Sequence, residues 1–211
     1  MKNKSFLIVL NTMLLILTSR VFAQTQLGSD IDGEAATDYS GGAVSIDSDG
    51  DRVAIGAHNN EQYDGHTRVY EYSGGSWTQL GSDIDGEGCC DRAGNSVSIN
   101  SDGDRVAIGA HFNGGTASLA GHVRVYAYSS GSWTQLGSDI DGEASNDRSG
   151  TSVSINSAGD RVAIGAIRND GTSGDSGDDR GHVRVYAYSS GSWSQLGSDI
   201  DGEAAGDYFG T

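Results

Sequence analysis

The sequence predicts an all-β fold: a partial β-propeller of about three four-stranded antiparallel blades, with one extra N-terminal strand. Three observations carry this expectation. The nonapeptide QLGSDIDGE occurs unchanged at residues 26–34, 79–87, 135–143 and 195–203, so its starts are 53, 56 and 60 residues apart. A fixed element at that period marks a propeller or a solenoid. Between copies, apolar and polar residues alternate with the period of two that belongs to strands. Asp-Gly and Ser-Gly pairs then divide each interval at hairpin spacing.

Residues 1–23 differ from the rest. Lys2 and Lys4 precede an apolar run from Phe6 to Leu17, and Val21-Phe22-Ala23 places a small residue at a cleavage position. That is the layout of a secretory signal peptide, and the run is shorter than the roughly 20 residues a membrane-spanning helix needs. The domain plan is therefore a signal peptide at 1–23 and propeller repeats over 24–211, with the fourth repeat truncated.

Within one repeat, residues 94–100 place Val97 and Ile99 on one face and Ser96 and Ser98 on the other; this is strand A. The turn Ser101-Asp102-Gly103 leads into strand B, residues 104–110, where Val106 and Ile108 oppose Ala107 and Gly109. A polar loop precedes strand C, residues 121–129, with Val123 and Val125 opposite Arg124, Tyr126 and Tyr128. Ser130-Gly131 turns the chain into strand D, residues 132–138, which carries Trp133. The expected blades are 41–83, 94–139 and 150–199, preceded by a lone strand D at 24–29. Four short strands make one blade, and the bulky face of A and B should seat against the small-residue face of its neighbour.

Antiparallel strands place the D to A and B to C loops on one rim and the A to B and C to D turns on the other. The B to C loop grows from 7 to 10 to 14 residues and accounts for all the change in repeat length. A scaffold held constant around one varying loop is a layout that suits recognition, although loop tips also tolerate insertion without purpose.

The formal charge is −16, and loss of residues 1–23 would remove three cations and no acid, leaving arginine as the only cationic residue type. Such a charge argues against nucleic acid, whose phosphates need a basic surface, and against anionic membrane surfaces. It suits a cationic or metal-bridged partner. The two cysteines, Cys89 and Cys90, are adjacent and stand where other copies carry Ala or Ser. In an oxidising compartment they could form a vicinal disulfide or cross-link chains, and otherwise they fill a loop.

The five histidines, His58, His66, His111, His122 and His182, recur at repeat-equivalent positions. Periodic placement favours a structural part in each blade over catalysis, which needs one converging set. No G-x-S-x-G elbow, P-loop or H-E-x-x-H helix is present. No catalytic residues are assigned, and the expectation is that the chain is not an enzyme.

The candidate metal ligands are the acids of the repeated loops: Asp30, Asp32, Glu34 and Asp38; Asp83, Asp85, Glu87 and Asp91; Asp139, Asp141, Glu143 and Asp147. The last copy repeats them at Asp199, Asp201, Glu203 and Asp207. Four carboxylates so close repel one another unless solvated, paired with arginine or neutralised by a hard cation, for which Ca2+ is the candidate. The spacing is not that of an EF-hand, and the alternative is a solvated turn whose Asp side chains cap backbone groups.

Two dipeptide patterns recur beside these loops. Phe209-Gly210 is matched loosely by Ser40-Gly41, Ala93-Gly94 and Ser149-Gly150, while Gly56-Ala57-His58, Gly109-Ala110-His111 and Gly165-Ala166-Ile167 close strand B. In these the chain resembles FG-GAP repeat propellers, the type found in integrin alpha heads and in secreted bacterial proteins, over residues 24–211. The resemblance implies a propeller fold and cell adhesion. Family members often hold calcium in the A to B turn; here that turn is shorter and reads Asp47, Asn100 and Asn156 at its first position, so that site is not carried over. The functional expectation is a secreted or cell-surface, non-enzymatic binding or adhesion module presenting an acidic rim to an extracellular protein or polysaccharide. It would not insert in a membrane after signal cleavage, and it would self-associate through open blade edges. Alternatives are a fragment of a propeller-type carbohydrate-active enzyme and a repetitive structural surface protein.

Overall fold

The computed structural model describes residues 25–171 and 177–211; the expected signal peptide and its cleavage site lie outside the described residues. Three antiparallel sheets follow one another along the chain. The first is built from β1 (Ala43–Ile46), β2 (Arg52–Ala57), β3 (His66–Ser73) and β4 (Ser76–Gln79), with a short β5 (Ile84–Asp85) also paired to β3. The second holds β6 (Ser96–Ile99), β7 (Arg105–Ala110), β8 (His122–Ser129), β9 (Ser132–Gln135) and β10 (Ile140–Asp141). The third holds β11 (Ser149–Ile155), β12 (Arg161–Ala166), β13 (His182–Ser189), β14 (Ser192–Gln195) and β15 (Ile200–Asp201). Among the described residues the one helix is a single turn at Asn60–Tyr63. The fold is the expected partial propeller, nearly all β.

Two details differ from the sequence reading. Among the described residues no strand forms before Ala43, and the stretch expected as a lone strand D has no strand C paired to it there. Strand D is also longer than expected and broken. β4 and β5 both pair with β3, with Gln79 opposite Tyr70 and Ile84 opposite Thr67. Four residues of strand D therefore face two of strand C, a bulge in which Gly81 takes a φ of 77° that glycine adopts without steric penalty. The nonapeptide thus lies in bulged strand from Gln79 to Asp85, and its Ile84 and Ile140 are buried.

The bulky face of each blade packs on the small face of the blade before it. Val97, Ile99, Val106 and Ile108 of the second blade join Ala54, Val69 and Ile84 of the first. Ile155, Val162 and Ile164 of the third join Ala107, Val123 and Val125 of the second. At roughly 1.5–3 kcal/mol for each buried Val or Ile, most of the apolar stabilisation crosses a seam. Gly109 shows how close the blades approach: a Cβ built there would lie 2.1 Å from the Gly150 carbonyl oxygen of the next blade.

Polar contacts repeat at each seam. Ser45 Oγ accepts the Ile99 N–H and Ser98 Oγ accepts the Ile155 N–H, each at 3.1 Å. The indole N–H groups of Trp77, Trp133 and Trp193 donate to the carbonyls of Leu27, Leu80 and Leu136 in the preceding repeat, at 2.9, 2.7 and 2.7 Å. In the A to B turn, Asp47 Oδ1 accepts from the N–H groups of Gly50, Asp51 and Arg52. Asn100 Oδ1 does the same for Asp104 and Arg105, as does Asn156 for Asp160 and Arg161. A side-chain oxygen closing the turn is all that position supplies, so Asp and Asn interchange there.

Candidate functional site

The repeated acids divide among three environments. The first member of each set is held by the glutamine that opens its nonapeptide: Gln26, Gln79, Gln135 and Gln195 donate through Nε2 to Asp30, Asp83, Asp139 and Asp199 at 2.6–2.7 Å. The last member sits in the turn that follows the nonapeptide, buried in Asp38, Asp91 and Asp147 and exposed in Asp207. Asp38 and Asp147 each accept a backbone N–H, from Ala35 and Ala144. Asp38, Asp91 and Asp147 also accept from the amides of Asn60, Asn113 and Asn169, which stand at the same place in each B to C loop. These asparagines pin the loop base, and residues beyond them are free to vary. Asp32 and Asp85 are exposed. Asp141 is half-buried, and burial, with Asp139 beside it, pushes its carboxyl up.

The remaining acid, the glutamate, reaches across the seam. Glu34, His66 and Asp83 come together, as do Glu87, His122 and Asp139, and Glu143, His182 and Asp199; in each group one potential ligand atom per residue lies within 4.8 Å of the others. The glutamate comes from the repeat before, while the histidine heads strand C and the aspartate sits in the strand D bulge of the next blade. Sequence spacing within one loop missed this grouping, because it forms between repeats. An arginine two residues beyond each histidine shares its face of strand C. Arg68 bonds both Asp83 oxygens at 2.9 and 2.8 Å and pairs with Glu34, which holds the Asp83 carboxyl below its ordinary range. Arg124 and Arg184 instead donate to the carbonyls of Asp85 and Asp141 in the preceding repeat, at 2.8 and 2.7 Å. Burial, and then these arginines, push the His122 and His182 imidazoles down, toward the neutral form.

The same rim also carries arginines where the chain approaches strand A. Arg92 and Arg148 precede strand A of their blades with φ of 56° and 57°, and Tyr39 and Tyr208 hold the equivalent positions at 57° and 50°. A left-handed non-glycine residue costs of order 1–3 kcal/mol, and here it recurs at one position in every repeat. The Arg92 guanidinium lies 5.5 Å from the Tyr63 ring and 4.6 Å from the Phe112 ring, with Arg148 4.8 Å from Phe112. Tyr63, Cys90, Arg92, Phe112 and Leu119 line a depression of about 280 Å³. Around it, His58 Nδ1, His111 Nδ1 and Arg148 Nε are buried without a hydrogen-bond partner. Burial, followed by Arg148 and Arg92, pushes His111 down to about 4, and burial with Arg168 nearby lowers Arg148. The Cys89 and Cys90 thiols are free, exposed and 2.7 Å apart at the edge of this surface.

No family model and no curated protein matches the sequence, so the FG-GAP resemblance rests on the residues quoted for it. Solved structures do match in shape. A Bacteroides uniformis protein with the provisional name 6-phosphogluconolactonase is 13% identical, with a TM-score of 0.50, covering 76% of this chain and 40% of its own. Saccharomyces cerevisiae Sqt1 is 18% identical, with a TM-score of 0.49 and coverage of 80% and 37%. A Lactobacillus plantarum protein is 17% identical, with a TM-score of 0.47 and coverage of 77% and 42%. The chain thus spans about two fifths of the length of the proteins it matches. The expectation that it is not an enzyme is corrected: the first of these neighbours carries an enzyme's name, so the fold gives no ground for excluding catalysis. At such low identity the likeness establishes the architecture alone, that of a partial propeller.

Proposed function

We propose that the chain is a propeller-type recognition module of the cell exterior, and that it takes an acidic polysaccharide on the rim formed by its B to C loops and strand A approaches. The observation that carries this reading is the alternating stack of Tyr63, Arg92, Phe112 and Arg148, beside buried nitrogen atoms that lack partners. Aromatic faces suit a pyranose ring, and guanidinium groups suit the carboxylate or sulfate it bears. The depression, at about 280 Å³, is sized for one or two sugar units. Elsewhere the chain is strongly acidic, so a cationic patch at the positions where repeats diverge is a local feature of the face and not of the composition. Export, as the N-terminal sequence suggests, would bring this face to polysaccharide.

The experiment is affinity electrophoresis of the purified chain in gels containing alginate, chondroitin sulfate or neutral dextran, with released reducing ends measured in parallel to register any turnover. Retardation by the acidic polymers, lost in the Arg92→Ala/Arg148→Ala double variant, is the expected result. Equal retardation by dextran, or retention of binding in the double variant, would overturn the reading.

A further inference from the structure

We propose that the second and third seams are divalent transition-metal sites, with Glu87, His122 and Asp139 as ligands in one and Glu143, His182 and Asp199 in the other, so that each ion joins two blades. The argument lies in how each carboxylate divides its oxygens. Gln135 takes Asp139 Oδ1 at 2.7 Å, which leaves Oδ2 facing His122 Nδ1 at 3.6 Å. Arg124 Nη1 stands 3.4 Å from Glu87 Oε1, which leaves Oε2 facing the same His122 Nδ1 at 3.9 Å. The third seam repeats the division: Gln195 takes Asp199 Oδ1 at 2.7 Å, and Arg184 Nη1 stands 3.3 Å from Glu143 Oε1. The other two oxygens face His182 Nδ1 at 3.9 and 4.0 Å. Supporting groups that fix one carboxylate oxygen and turn the other inward are what metal ligands require.

Those separations are too long for hydrogen bonds. They are close to the edge of a coordination polyhedron, which for bonds of about 2.1 Å is about 3.4 Å in a tetrahedron. His182 supplies an independent observation. It is only 1% exposed, and neither of its ring nitrogens has a hydrogen-bond partner, so a buried polar group lies beside two carboxylate oxygens without contact to either. One imidazole nitrogen with two carboxylates is a donor set for zinc or a similar ion; calcium prefers oxygen alone.

The first seam shows a cation in this place. There Arg68 Nη2 lies against both Glu34 and Asp83, occupying with a guanidinium the gap that Arg124 and Arg184 leave open by turning to backbone carbonyls. Zinc should therefore bind twice per chain and not three times.

The test is calorimetric titration of the chelator-treated full chain with zinc, and separately with calcium, together with metal analysis after gel filtration. The expected result is two zinc ions per chain, a melting temperature raised by zinc, and loss of both sites in the Glu87→Gln/Glu143→Gln double variant. Both glutamates lie on the surface, so that variant should match the parent in circular dichroism and in metal-free melting temperature while binding zinc at least about 100-fold more weakly. Absence of zinc binding up to millimolar concentration, undiminished binding in the double variant, three equivalents per chain, or binding of calcium but not zinc would each overturn the proposal.

Discussion

Replacing Gly109 by Ala tests whether the blades are held by close backbone approach. Gly109 lies within β7, outside the left-handed region, so in an isolated strand the change would be neutral or stabilising by about 0.4–1 kcal/mol, through restriction of the unfolded chain. The seam reverses that sign. The added methyl group would lie 2.1 Å from Gly150 O and 2.3 Å from Ser96 Oγ, roughly 1 Å inside contact distance, with backbone on one side. Overpacking of this kind costs about 1–3 kcal/mol. Separating the strands also breaks the Ser96 Oγ to Gly150 O hydrogen bond, now 2.8 Å, for about 1 kcal/mol more. The expected loss is about 2–4 kcal/mol, read as the shift in urea midpoint at constant slope. Gly114→Ala is the control: its Cβ would meet nothing closer than 4.0 Å, and it should stay within about 0.5 kcal/mol of the parent. If Gly109→Ala is as stable as the control, the account of the seams is wrong.

Three further outcomes are expected. His111 has its pKa pushed down to about 4 from 6.5, so as pH falls the unfolded chain takes up this proton first. Stability should then decline between pH 6.5 and 4 by up to about 3 kcal/mol, and denaturation at several pH values should show a flatter profile for His111→Asn. Removing the amide in Asn113→Ala leaves the buried Asp91 without the 2.9 Å bond it now accepts, and should cost about 1.5–3 kcal/mol by urea denaturation. Val44 and Ile46 are 62% and 58% exposed, whereas their equivalents Val97 and Ile99 are covered by the first blade. Light scattering should find concentration-dependent association that Ile46→Lys suppresses, and a monomer at every concentration would refute it.

Strands A, B and C were legible to within a residue or two because their signal is local: Val106 and Ile108 alternate with Ala107 and Gly109, and the Asp-Gly turn marks the reversal. Strand D is less legible because a bulge carries little sequence signal beyond one glycine, Gly81, and the residues after it read as loop. The seam groups were not legible at all. Glu87 and Asp139 meet because of how one blade is rotated against the next, and no spacing within a repeat encodes that rotation. The histidines are visibly periodic in the sequence, but periodicity does not say that His66, His122 and His182 each face acids of two different repeats. Asn60, Asn113 and Asn169 do carry a sequence signal, since each follows its strand B alanine by three residues.

The tryptophans make the joints between successive repeats optically addressable. The chain has three, one per blade, and each is anchored by its indole N–H to a carbonyl of the repeat before it. Emission from a given indole therefore responds to the state of a joint. With two of the three replaced by Phe, the remaining fluorophore would follow a single joint, and the three such variants together would give the order in which the array comes apart. In a quasi-one-dimensional fold, where each repeat is stabilised by its neighbours, that order maps how coupling is distributed along the chain.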